Sequence, residues 1–199
     1  AVTVLAVVLA VQVYAGWYLR DDHRPPAFQA TVSLFAAAML LLVISRDLIL
    51  TLVGWEVMGW CSYLLIGHWS RKATARRAAY KAFLVTRLAD VGFVIGVVAL
   101  IAAAGTSDID ALNRAVVSRL TARSPAGGGG RGAVDFAMTA LIIGVLGKSA
   151  QIPFQDWLID AMEGPTPASA LIHAATMVAA GTWVLSQLTP VLRVGLVGT

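Results

Sequence analysis

The chain has 199 residues, 58% of them hydrophobic and 13% charged, with a mean hydropathy of +0.78 and a formal net charge of +4 at pH 7. A soluble domain of this length needs a far more charged surface, which excludes that class. Basic residues gathered in loops suit membrane topology better than nucleic-acid binding, and the single cysteine, Cys61, excludes an internal disulfide and an all-cysteine metal site and reads as a small buried hydrophobe.

Apolar runs long enough to cross a hydrocarbon core about 30 Å thick recur along the chain. Spans are predicted at 2–19, 28–45, 48–67, 77–104, 133–162 and 166–188. Each is expected to be a helix, because an isolated span in lipid must satisfy its own backbone hydrogen bonds. The first run has neither a basic leader nor a small-residue cleavage site, so it does not read as a signal peptide. The chain starts at Ala1 and "VLRVGLVGT" stops as another apolar run begins, so the sequence reads as an internal piece of a longer protein.

"RDDHRPP" (20–26) ends the first span, since its prolines cannot continue a helix. "SRD" (45–47) is a short turn that makes the second and third spans antiparallel neighbours. The next loop collects Arg71, Lys72, Arg76, Arg77 and Lys81 without an acid, the pattern of a cytoplasmic loop. Lys81 reads as an anchor that snorkels to the interface, and His68 as an ordinary interfacial residue. Segment 105–132, with its "SPAGGGGRG", reads as a flexible loop on the opposite side without chemistry. Trp17, Trp69 and Trp157 fall near span ends, as in an aromatic belt.

The fifth span is too long for the core: residues 133–162 would make a helix of about 45 Å if continuous. Pro153 lies inside it and removes a backbone hydrogen bond, so the expectation is two half-helices broken near Gln151 to Pro153. A span followed by an interfacial helix "PFQDWLIDAM" is the alternative. Either way "GPTP" (164–167) turns the chain into the sixth span.

Five ionisable residues fall within spans: Glu56, Arg87, Asp90, Lys148 and His173. Such residues are functional candidates by default, because a charge in lipid needs a partner. At about 1.5 Å per residue, Glu56 lies roughly 16 Å from the cytoplasmic end of its span, Arg87 about 15 Å and Asp90 about 20 Å. The two antiparallel helices therefore bring the three to similar depth, where Arg87 and Asp90, three residues apart, can neutralise one another. Lys148 stands just before the expected break, and His173 lies about 10 Å into the sixth span. Lysine responds to an approaching carboxylate, and histidine titrates near neutrality. Together they fit a proton relay, so the residues alone point to a proton or cation translocator. The structural alternative is that these pairs fix helix register.

Three stretches carry a family resemblance: "GWEVMGWCSYLLIGHW", "AAYKAFLVTRLADVGF" and "GKSAQIPFQDWLIDAMEGPTPASALIHAATMVAAG". Together they resemble the subunit L (chain 5) family of proton-pumping NADH:quinone oxidoreductase, respiratory complex I, from about Gly16 to Gln187. The resemblance implies an all-α, polytopic transmembrane bundle of the antiporter-like fold with one discontinuous helix. Residues 1–27 would be a preceding helix and loop, and 28–199 most of the first of two inverted five-helix repeats. It implies a Glu56–Lys148 pair, an Asp90 that influences the glutamate's charge with Arg87 beside it, and a His173 that passes protons onward. No flavin, iron–sulfur or nucleotide motif occurs in this sequence. FMN and iron–sulfur clusters are therefore expected in partner subunits, and NADH and quinone are expected to be bound there too. The implied partners are other membrane subunits of complex I, above all the adjacent antiporter-like subunit, and the implied location is a bacterial inner membrane. The large subunit of multisubunit cation/proton antiporters shares "KSAQ" and "PTP" and is the alternative. Membrane subunits of inorganic-carbon uptake complexes and energy-conserving hydrogenases are also related.

Overall fold

The computed structural model describes residues 1–121 and 128–194, except for the side chains of 128–130 and 173–175. The described residues form helices and turns without a β-strand: α1 (Val2–Tyr18), α2 (Pro25–Ile44), α3 (Leu48–Ile66), α4 (Ala73–Ala104), α5 (Ile109–Thr121) and α6 (Gly128–Lys148). After a break come α7 (Asp156–Asp160), a 3₁₀ turn (Ala161–Glu163), α8 (Thr166–Ser169), a π-helical turn (Ala170–Ala175), α9 (Met177–Gln187) and α10 (Thr189–Val194). Four stretches are long and apolar enough to cross a membrane: Pro25–Ile44, Leu48–Ile66, Ala73–Ala104 and Thr166–Gln187.

The exterior is built for lipid. On α4, Leu84, Leu88, Val91, Ile95 and Val98 all face outward, while Ala82, Thr86, Ala89, Asp90, Phe93 and Val97 are buried. On α1, Val4, Val8, Val11 and Ala15 turn inward, whereas Leu5, Leu9, Val13 and Trp17 are exposed. An exposed apolar face of this extent is stable in hydrocarbon and not in water. The chain is a multi-pass membrane protein.

Small residues let the helices approach closely, which is how helices associate in lipid. A Cβ on Gly54 of α3 would stand 2.7 Å from the Ala38 carbonyl oxygen of α2, its antiparallel neighbour across the three-residue turn. The α4–α6 contact is tighter still: a Cβ on Gly96 would stand 2.6 Å from Ala137 O and 2.7 Å from Leu141 N. These are backbone atoms, which cannot swing aside. Gly96→Val is therefore expected to lower stability by at least about 1–3 kcal/mol, the usual effect of overpacking. Gly132→Ala, where an added Cβ meets nothing within 4 Å, serves as the control. Thermal unfolding of both variants in detergent decides the matter; equal midpoints would reject close packing here.

The break in the fifth span is present, and its chemistry is visible. Helix α6 ends at Lys148, Ala150 takes the left-handed conformation (φ 50°), Gln151 N–H reaches Leu146 O at 2.9 Å and Ala150 N–H reaches Gly147 O at 3.3 Å. This is a Schellman closure with alanine where glycine is usual. Side chains add to the closure: Trp157 Nε1 donates to the same Gly147 O at 2.9 Å, and Gln151 Nε2 donates to Ser149 O at 3.1 Å. Trp157 is thus fully buried beneath the break rather than in an interfacial belt, as the sequence suggested.

The segment between α4 and α6 also departs from expectation. Residues 109–121 are the helix α5, with Ile109, Leu112, Asn113 and Val116 buried on one face. Its start is fastened to the α2–α3 turn by Ile109 N–H to Arg46 O and Leu48 N–H to Ser107 O, both 2.8 Å. The Ser107 hydroxyl also donates to Asp47 Oδ2, and with the Leu50 and Ile49 amides it holds the Asp47 carboxyl below its usual range against the effect of burial. Asp47 is in turn the N-cap of α3. Residues 128–132, which hold most of the glycine tract, begin α6 rather than a loop, and residues 122–127 lie outside the described residues.

Candidate functional site: a buried charge cluster at a broken helix

Helices α3, α4 and α6 meet where the charges lie, with α4 antiparallel to the other two. Lys148, the last residue of α6, is wholly enclosed (0% exposed) and Asp90 of α4 nearly so (3%). Their charged atoms are 3.3 Å apart. This contact is an ion pair rather than a well-formed hydrogen bond: Asp90 Oδ2 accepts no hydrogen bond among the described residues. The lysine's hydrogen bond goes instead to the Trp55 carbonyl of α3, at 2.9 Å, and Nζ sits 4.4 Å from the centroid of the Trp55 ring. Trp55 Nε1 donates to Asp90 Oδ1 at 2.6 Å, and its ring stacks on Phe93 at 4.2 Å.

Beside this trio stands a second pair, Arg87 with Glu56, both about 30% exposed. Arg87 Nη2 also donates to Glu56 O at 3.0 Å, and its guanidinium lies 5.0 Å from the Phe83 ring. The shared depth expected from counting residues is therefore realised, but the pairing is not the one expected. Lys148 meets Asp90 instead of Glu56, and Arg87 meets Glu56 instead of Asp90. The reason is rotational. Trp55 and Glu56 are successive helical residues and project about 100° apart, so the indole and the carboxylate cannot both face Lys148. Each cation thus pairs with a carboxylate on another helix, Lys148 of α6 with Asp90 of α4 and Arg87 of α4 with Glu56 of α3.

The side chain of His173 lies outside the described residues; its position falls in the π-helical turn Ala170–Ala175. Just beyond it, the buried Thr176 hydroxyl donates to Leu171 O. Lys81, expected to snorkel, instead pairs with Asp160 of α7 at 2.8 Å, tying α4 to the segment after the break.

Sequence reasoning passed over Trp55, which touches both members of the buried pair. Its only signal was adjacency to Glu56 in an apolar run. It also passed over a clasp joining the α1–α2 loop to the α3–α4 loop. Asp22 accepts from Trp69 Nε1 at 2.8 Å and from the Arg24 amide at 2.9 Å, and meets His68 Nε2 at 3.1 Å, while Arg24 Nη2 donates to His68 O at 2.7 Å. Burial pushes the Asp22 carboxyl up, but the Arg24 amide, the Trp69 indole and His68 outweigh it and hold it at about 2. A carboxyl lowered on folding stabilises the protein above its ordinary value of 3.8, and that contribution is lost as pH falls through about 2. Proteolysis within 20–24 is expected to quicken over that window in the wild type. In Asp22→Asn it should already be fast at neutral pH; matching rates at pH 7 would dispose of the clasp.

The fold and the site define an antiporter-like class of membrane protein: stacked helices around a broken one that ends on a buried lysine. Residues 45–197 match the family described as "NADH:quinone oxidoreductase/Mrp antiporter, TM", and the chain belongs to that family. It is 42% identical over 193 residues to NAD(P)H-quinone oxidoreductase chain 5 of Synechocystis sp., covering 96% of this chain and 28% of that protein. It is 44% identical over 186 residues to NADH-ubiquinone oxidoreductase chain 5 of Chlamydomonas reinhardtii, covering 94% and 31%. Against NADH-quinone oxidoreductase subunit L of Pseudomonas aeruginosa the identity is 42% over 191 residues, covering 94% and 30%. Among solved structures, the Mrp complex of Dietzia sp. superposes with a TM-score of 0.75 at 26% identity, over 98% of this chain and 21% of that one. The chain thus spans less than a third of the length of these curated relatives.

Proposed function

We propose that this chain is the proton-translocating part of a complex I membrane subunit, with residues 28–199 forming most of one antiporter-like repeat and 1–27 the helix and loop before it. In this reading electron transfer takes place in partner subunits, which hold FMN, the iron–sulfur clusters, NADH and quinone. The subunit lies in a bacterial inner membrane beside another antiporter-like subunit. The observation that supports it is the enclosed Lys148, paired with one carboxylate at the end of a broken helix.

Lys148 is the proton carrier of this proposal. An ammonium sealed from water holds its proton only while a negative charge stands beside it. Any rearrangement that separates Lys148 from Asp90, or changes the charge reaching it from Glu56 and Arg87, drives the proton off. The released proton passes to His173, since histidine can both accept and donate a proton. Asp90 Oδ2, which accepts no hydrogen bond among the described residues, is a second acceptor for a proton arriving at the cluster.

A second reading, the large subunit of a sodium/proton antiporter, draws support from the likeness to the Mrp complex. The full-length protein with its partner subunits, reconstituted in sealed vesicles, separates the two. NADH should acidify the lumen without sodium, and a sodium gradient without NADH should not move protons. The reverse pattern would establish antiport.

A further inference from the structure

The Lys148 ammonium rests against α3 at Gly59, a position that carries no side chain. A Cβ on Gly59 would stand 3.1 Å from Lys148 Nζ, 4.0 Å from its Cε and 3.6 Å from Arg87 Nη2. The first of these distances is tighter than packed protein interiors ordinarily allow, so a methyl group here would push the ammonium, or the helix, by a few tenths of an ångström. Residues four apart lie one above the other on a helix, and four residues before Gly59 is Trp55. Its carbonyl takes the lysine's hydrogen bond, its ring faces the ammonium, and its N–H holds Asp90. The parallel stack on Phe93 fixes the indole in that orientation.

We propose that Trp55 and Gly59 form a seat on α3 that holds the Lys148 ammonium on Asp90, both acting as positioning residues. This rests on the reading of Lys148 as the proton carrier. Lys148 and Asp90 make no well-formed hydrogen bond to each other, so their separation is set by what each bonds to, and both bond to Trp55. Gly59 provides the room for that approach. Arg87 Nη2 borders the same gap, a like charge that opposes movement of the ammonium along the helix in its direction.

The test is made on the whole complex in sealed vesicles, with Gly59→Ala, Trp55→Phe and Lys148→Ala compared for assembly, NADH oxidation and protons moved per electron pair across pH. Gly59→Ala and Trp55→Phe should assemble and oxidise NADH yet pump at least about twofold less. In Gly59→Ala the alkaline limb of the pumping profile should move to lower pH by about one unit, because an ammonium farther from its carboxylate releases its proton more readily. If Gly59→Ala does not assemble, Trp55→Phe decides. Wild-type stoichiometry and profile in the assembled variants, alongside a Lys148→Ala that cannot pump, would overturn the seat alone. Less assembled complex with an unmoved profile would do the same, marking the two residues as merely structural. Full pumping by Lys148→Ala would instead remove the carrier, and the seat with it.

Discussion

Lys148→Ala in the full-length protein is expected to abolish proton pumping by this subunit while leaving the complex assembled and able to pass electrons. The substitution takes away the amine at the α6 terminus and leaves Asp90 held by Trp55 Nε1, so the cluster loses its proposed carrier without losing its frame. Lys148→Arg is a sharper probe. Arginine keeps the positive charge but does not release its proton in proteins, so it preserves the ion pair and should still fail to pump. Protons translocated per NADH oxidised, measured with a pH-sensitive dye inside vesicles, give the readout. A Lys148→Arg protein pumping at the wild-type ratio would show that the lysine carries charge and not protons.

The second large effect falls on stability. Asp90→Ala strands a fully enclosed ammonium and frees the indole N–H of Trp55. Breaking a buried pair from one side ordinarily costs about 3–5 kcal/mol, whereas replacing both partners with apolar residues is often near neutral. Asp90→Ala should therefore unfold at distinctly lower temperature in detergent, and the double variant Asp90→Ala with Lys148→Met should recover much of the loss. The Glu56–Arg87 pair, partly exposed, should show the same pattern more weakly. If Asp90→Ala alone melts with the wild type, the lysine must have found another acceptor or shed its charge at small expense.

The contrast between these two pairs marks how far linear reasoning reaches. Helix spans follow from hydropathy because lipid leaves the backbone no alternative. The break before Pro153 follows because proline lacks an N–H and span 133–162 exceeds the bilayer. That Glu56, Arg87 and Asp90 share a depth follows from a fixed rise per residue and a short loop. These are one-dimensional facts. Helix α5 was missed because its apolar residues are too few to resemble a span, and it forms by docking on the α2–α3 turn and on Gln187, whose carbonyl takes the Asn113 amide at 2.8 Å.

By itself, then, the sequence determined that this protein lies in a membrane, which apolar stretches form its long helices and where one of them breaks. Only the tertiary structure decided who pairs with whom. Partner choice depends on rotation about each helix axis and on how near the neighbouring backbone comes. Glycines such as Gly59, Gly96 and Gly54 set that second quantity through atoms they do not have, and that contribution has no signal until the facing helix is in place.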